Sequence, residues 1–226
     1  LQPGTYTLQF TRDGENWIDL PDEIKFIVLP DPQPKTRFDI TAQEYGGCKA
    51  GDDQDDTGCI VTAIVAAKNA GGGEVFFPQG TWHLKDPSKT NLLSANWEFS
   101  AIVVPPGVDL VGAGKDSTKI VQTLDWKRPN GNNMYSVFTL MGNNKVQGIY
   151  FHSDGFALNS FGGISLALGK PYPSPDDPKV IENVVIADNT FSGLNDGKVT
   201  GMYNAVGDWG SPLRHIFIVN NQFQAY

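Results

Sequence analysis

Cysteine is almost missing from this chain: Cys48 and Cys59 are the two in 226 residues. Eleven positions apart, they do not form a C-x-x-C redox motif, and no His or Cys partners complete a zinc pattern. They either pair as a disulfide or lie reduced and buried. Pairing is the expectation, and it would indicate an oxidising compartment. Long apolar runs are missing too. No stretch approaches the roughly 18 residues that a membrane span needs, and no basic segment followed by an apolar one marks an export signal. Clustered basic residues are absent, and 17 Lys and Arg against 25 Asp and Glu give a formal net charge of −8. No nucleic-acid partner is therefore expected, because sequence-independent binders neutralise phosphates with grouped cations. The densest carboxylate run, Asp52, Asp53, Asp55 and Asp56, lacks the EF-hand spacing. Helix capping and loop folding account for it, so neither a metal nor a cofactor is expected.

What is present describes a folded chain of short strands and turns. Hydrophobic residues make up 40% and charged residues 19%, with 25 glycines and 15 prolines. The first residue is Leu1, so the chain is expected to be processed or excised from a longer one. Residues 1–30 read as strand, turn, strand, strand: Thr5 to Phe10 alternates, Asp13-Gly14 is a turn pair, and Ile24 to Val28 closes the unit. The run P-G-T-Y-T-L-Q-F-T-R-D-G-E-N-W resembles the last hairpin of an immunoglobulin-like surface domain of the TIG type. That resemblance implies the C-terminal strands of a β-sandwich over 1–30. Proline-rich residues 31–37 then read as a semi-rigid linker.

From Phe38 the pattern changes. Ile60, Ala63, Ile64 and Ala67 form one apolar face of a helix from Thr57 to Asn69, with Asp56 or Thr57 as N-cap and Gly71-Gly72-Gly73 as its stop. Glu74 to Phe77 is a strand, and Pro78-Gln79-Gly80-Thr81 turns into a second, Trp82-His83-Leu84. The string F-D-I-T-A-Q-E-Y-G-G-C-K-A-G-D-D-Q-D-D-T-G-C-I-V-T-A-I-V-A-A-K-N-A-G-G-G-E-V-F-F-P-Q-G-T-W resembles the opening of pectate-lyase-like β-helices. In that family a Y-G-A, G-D-G, D-D-T-x-A-I, G-G-x-V-x-F-P-x-G-x-Y succession forms a helical cap and first coil. The resemblance covers residues 38–84. It implies an all-β chain over 38–226, a right-handed single-stranded parallel β-helix with an N-terminal capping α-helix. A bridge between Cys48 and Cys59 would then pin the loop to the cap.

The remainder repeats as a solenoid with variable loops does. Val108 to Gly112 followed by Thr118 to Val121 is similar to the family's next coil. Val146 to Phe151, Val184 to Phe191 and Ile216 to Phe223 share a form: a β-branched strand, polar residues, then phenylalanine. The phenylalanines are 40 and 32 residues apart, so insertions interrupt the coils. No terminal cap follows Phe223. The β-helix is accordingly expected to be truncated at its C-terminal end, with self-association through the uncapped last coil.

Polysaccharide is the expected partner, in a secreted or cell-surface setting. Hydrolysis on a β-helix requires two carboxyls on one face, whereas elimination requires a base. Asp154, Asp188 and His215 are the catalytic candidates, because successive coils can bring them to one groove; His152, Asp196 and Asp208 lie nearby in sequence. For each, an exposed turn residue is the plainer reading. Trp126, Tyr203, Trp209 and Arg214 are the substrate-binding candidates, with Trp97, Tyr150 and Tyr172 as further aromatics that can stack on sugars or anchor the core. The loop from Gly169 to Pro178 would form a groove wall or a plain surface loop. Polygalacturonase-like N-T-D, D-D, G-H-G and R-I-K signatures are absent, as is R-x-P-x-x-R of pectate lyases. A polysaccharide lyase or glycoside hydrolase is the leading expectation, with a non-catalytic adhesion module as the alternative; the fragment itself is expected to be inactive.

Overall fold

The structure, a computed structural model, describes residues 4–7, 9–19, 25–28, 34–90, 100–123, 136–153, 163–169, 179–193, 203–208 and 210–224. The chain divides into two compact units, Leu1–Pro34 and Lys35–Tyr226. In the first, the strands are β1 (Gly4–Thr7), β2 (Gln9–Phe10), β3 (Ile18–Asp19) and β4 (Lys25–Val28). β1 pairs antiparallel with β4, and β2 with β3. The expected turn is built by Asp13, whose Oδ1 accepts from the N–H groups of Glu15 and Asn16 at 2.9 and 2.8 Å. Two separate strand pairs do not establish an immunoglobulin-like sandwich.

The second unit opens with β5 (Arg37–Asp39) and α1 (Thr57–Asn69). Ile60, Ala63, Ile64 and Ala67 are fully buried, so the periodicity read from the sequence is the packed face. Asp56 occupies the N-cap position without capping, because its Oδ2 accepts from His83 N at 2.8 Å and ties the helix to the first coil. Asp55 engages the first turn instead, accepting from Thr57 N at 3.2 Å. The helix ends as a Schellman motif: Gly72 N donates to Ala67 O at 2.9 Å, and Gly71 N to Lys68 O at 3.0 Å. Gly71 and Gly72 take φ of +83° and +128°, which a Cβ would resist. A disulfide joins Cys48 to Cys59, across a Cα–Cα distance of 5.7 Å, and pins the loop to the first turn of α1.

The chain then winds through five turns. The first holds β6 (Gly73–Phe77), β7 (Gly80–Leu84) and β8 (Ser100–Val104); the second β9 (Val108–Gly112), β10 (Thr118–Gln122) and β11 (Ser136–Leu140). The third holds β12 (Lys145–Gln147), β13 (Tyr150–Ser153) and β14 (Gly163–Leu168); the fourth β15 (Ile181–Ala187), β16 (Thr190–Gly193) and β17 (Tyr203–Asp208). β18 (Leu213–Val219) and β19 (Gln222–Gln224) begin the fifth. Corresponding strands stack in parallel into three sheets, ordered β5-β6-β9-β12-β15-β18, β7-β10-β13-β16-β19 and β8-β11-β14-β17. This is a right-handed parallel β-helix. The repeated segments that read as one strand are two, bent between the first and second sheets, so the repeated phenylalanine belongs to the second sheet.

Parallel register puts like residues above one another. Phe151 stacks on Phe191 at 5.2 Å between centroids, and Phe191 on Phe223 at 5.5 Å. The later bends between first and second sheets are held by asparagine. Fully buried Asn189 accepts from Ile149 N at 3.0 Å and donates to Val146 O at 2.9 Å, and Asn221 donates to Ile186 O at 2.8 Å one turn further on. A buried backbone bend needs such partners, because its own carbonyls and N–H groups lie outside the sheet ladders.

Candidate functional site

Side chains alternate along a strand, so burying Trp82, Ile120, Phe151 and Phe191 turns their neighbours outward on the second sheet. Two outward rows cross the five strands. One runs Thr81, Lys119, Tyr150, Thr190, Gln222; the other runs His83, Val121, His152, Ser192, Gln224. None of these positions carries a carboxylate, in a chain whose net charge is −8.

A compact polar cluster forms where β10, β13 and β16 meet. His152 Nδ1 lies 2.7 Å from Ser192 Oγ, and Ser192 Oγ donates to Tyr150 Oη at 3.0 Å. Lys119 Nζ sits 5.1 Å from the centre of the Tyr150 ring, in cation–π geometry. The Tyr150 and His152 rings meet edge to face at 6.0 Å. Ser192 is fully buried, whereas Lys119, Tyr150 and His152 are half-buried. A cation, a phenol, an imidazole and a hydroxyl therefore share one surface, which can bind an anion, stack on a sugar ring and move a proton. Paired carboxylates, which hydrolysis uses, are absent from it among the described residues.

At the capped end the acidic run is fastened to the coil. Asp53 lies 3.1 Å from Lys85 Nζ and 3.4 Å from His83 Nε2, and its hydrogen bond and charge contact with Lys85 lower its pKa. Burial opposes ionisation at Asp55. Its bonds from Lys89, Thr57 and the Lys85 N–H outweigh burial and hold the carboxyl at about 2. At Asp56 burial prevails and pushes the pKa up. These carboxylates are committed to protein groups that fasten the loop to the helix start and to β7.

Of the catalytic candidates, the two among the described residues, Asp188 and His215, do not come together. Asp188 turns the chain after β15 at φ +55°, where Gln147 Nε2 donates to it at 3.0 Å and Asn220 also bonds it. The Asn220 bond, then that from Gln147, lowers the Asp188 pKa. His215 interrupts β18 at φ +55°, with its Nδ1 3.2 Å from Asn183 Oδ1. His215 is level with Asn183, five residues before Asp188, so Asp188 and His215 sit roughly 16 Å apart along the strands, at opposite ends of the first sheet. Arg214 pairs with Glu182 on the neighbouring strand. Tyr203 begins β17, and Asp154, Trp126 and Trp209 lie outside the described residues, as do Trp97, Tyr172, Asp196 and most of the loop after Gly169. The sequence reading had His152 and Tyr150 separately and missed Lys119 and Ser192. A signal was available: His152 and Ser192 each follow the repeated phenylalanine directly, which puts them in one row.

No protein-family model matches the chain, and no curated protein does. Solved structures do. The Azotobacter vinelandii mannuronan C-5 epimerase AlgE6 A-module is similar over 82% of this chain and 41% of its own, at 19% identity and a TM-score of 0.50. The likeness is one of fold. The AlgE4 A-module of the same organism matches over 83% of this chain and 51% of its own, at 18% identity and a TM-score of 0.41. The Agl-KA catalytic domain matches over 88% and 39%, at 16% identity and a TM-score of 0.42. This chain thus spans about two fifths of the AlgE6 A-module.

Proposed function

We propose that this chain is part of a secreted or cell-surface carbohydrate-active protein in which an acidic polysaccharide lies across the outward face of the second sheet. The observation that carries the reading is the cluster of Lys119, Tyr150, His152 and Ser192 on a parallel β-helix, with no carboxylate in it among the described residues. Strands repeat about every 4.8 Å along the helix axis, close to the length of one sugar residue in an extended chain. Lys119 then faces a uronate carboxylate, the Tyr150 ring offers a stacking surface, and His152 is the group suited to take a proton. The chemistry so supported is elimination. A proton leaves the carbon beside the carboxylate, a carbon–carbon double bond forms, and the glycosidic oxygen departs and is protonated. Asp154, Trp126, Tyr203 and Trp209 are proposed as additional contacts of the same chain, and Asp188, Arg214 and His215 as groups that order the first-sheet turns.

Incubating the whole protein, of which this chain is proposed to be part, with uronate-containing and neutral polysaccharides separates the alternatives. Products with unsaturated ends, lost in Lys119→Ala and His152→Ala variants that still fold, are the expected result. Reducing ends without unsaturation would instead direct attention to paired carboxylates. A second reading, a non-catalytic glycan-binding or adhesion module, is favoured by the separate compact unit Leu1–Pro34 ahead of the coils. Retention of a glycan without any product would establish it.

A further inference from the structure

We propose that Ser192 is a positioning residue that holds the His152 imidazole as the Nδ1–H tautomer and so makes Nε2 its basic atom. The proposal deepens the functional reading above and rests on it for its catalytic meaning. The sheet register sets the geometry. His152 and Ser192 are direct neighbours in one outward row, and Tyr150 lies on the same strand as His152, one outward position earlier. Ser192 is fully buried and has one hydroxyl proton for two neighbours, His152 Nδ1 at 2.7 Å and Tyr150 Oη at 3.0 Å. With that proton directed at Tyr150 Oη, the serine oxygen meets Nδ1 through its lone pairs. Nδ1 must then carry the hydrogen, and the lone pair of a neutral imidazole falls on Nε2.

The surroundings hold the arrangement. Lys119 from β10 is the charged group facing it among the described outward residues, and it lies over the Tyr150 ring rather than beside the imidazole. Val121, level with His152 on β10, is apolar. The Tyr150 ring, edge to face with the imidazole, limits its rotation. A hydroxyl that fixes a ring in place acts by orientation, whose loss costs a proton transfer on the order of 100-fold in rate.

The test is the tautomer itself, followed by nitrogen NMR on protein carrying labelled histidine. With three histidines in the chain, His83, His152 and His215, single substitutions assign the signals. Above the imidazole titration, wild-type His152 is expected to show a protonated Nδ1 and an unprotonated Nε2. Ser192→Ala is expected to mix the tautomers, and Ser192→Thr, which keeps the hydroxyl, to restore the bias. On a uronate glycan, kcat should fall on the order of 100-fold in Ser192→Ala with little change in KM, and recover in Ser192→Thr. A dominant Nε2–H tautomer in the wild type would overturn the proposal, as would an unchanged tautomer in a folded Ser192→Ala protein. The expected tautomers with no glycan bound or altered would uphold the role of Ser192 and overturn the proposed function instead.

Discussion

Asp55 is the residue on which the cap depends most visibly. Its carboxylate accepts from the N–H groups of Thr57, Lys85 and Asp86 and from Lys89 Nζ, joining the acidic run, the helix start and the segment that follows β7. Its pKa is held at about 2, below the ordinary 3.8. A carboxylate depressed in the folded state contributes stability above its unfolded pKa. That contribution is lost as pH falls through 3.8 towards about 2. Asp55→Asn should therefore cost roughly 2 kcal/mol at neutral pH and almost nothing near the bottom of that window, measured by urea unfolding of both proteins across pH. The raised pKa of Asp56 acts in the opposite direction, so the difference between the two proteins, rather than either curve, isolates Asp55. The sequence reading assigned capping to Asp56 or Thr57. Asp56 does hold that position, but without a capping hydrogen bond, because the partner that draws its carboxylate away, the His83 N–H, lies 27 residues further along.

At the scale of elements, the bends decide how far coils can stack. Asn189 is buried with both its amide atoms bonded to backbone of the preceding turn, whereas Asn220 is exposed beside it. Asn189→Ala leaves Ile149 N–H and Val146 O without those partners and should destabilise the protein by about 2–4 kcal/mol. Asn220→Ala, at a surface turn, should cost no more than about 1 kcal/mol in the same thermal or urea unfolding measurement, mostly through its φ of +54°. Equal losses at the two positions would remove the distinction between a buried ladder and a surface turn. The repeat of strand, polar residues and phenylalanine was legible because each coil must solve the same bending and packing problem. The break of each repeat into two strands was not, since a bend of two residues scarcely disturbs the apolar pattern.

Across the whole molecule, the last described strands expose Phe217, Ile218, Val219 and Phe223 at 54%, 46%, 49% and 59%. The 226-residue chain is expected to self-associate through them as its concentration rises, because an open strand edge with apolar side chains invites pairing. Sedimentation velocity over a concentration series checks this, with Phe223→Glu expected to weaken association. A monomer of unchanged sedimentation at every concentration would count against it.

What the sequence determined by itself was the repeating unit: the apolar face of α1, the glycine stop behind it, and the phenylalanines that stack through the core. Each of these is local, set by helix or strand period and by the few residues that tolerate a tight turn. The tertiary structure alone decided which outward residues share a row. Insertions of unequal length separate the strands, so spacing along the chain does not reveal spacing across the sheet. Asp188 and His215 therefore looked like partners and lie at opposite ends of the first sheet, while Lys119, Tyr150, His152 and Ser192, drawn from three turns of the solenoid, meet on the second. Parallel hydrogen bonding sets that register, strand against strand, and it exists only once the coils have stacked.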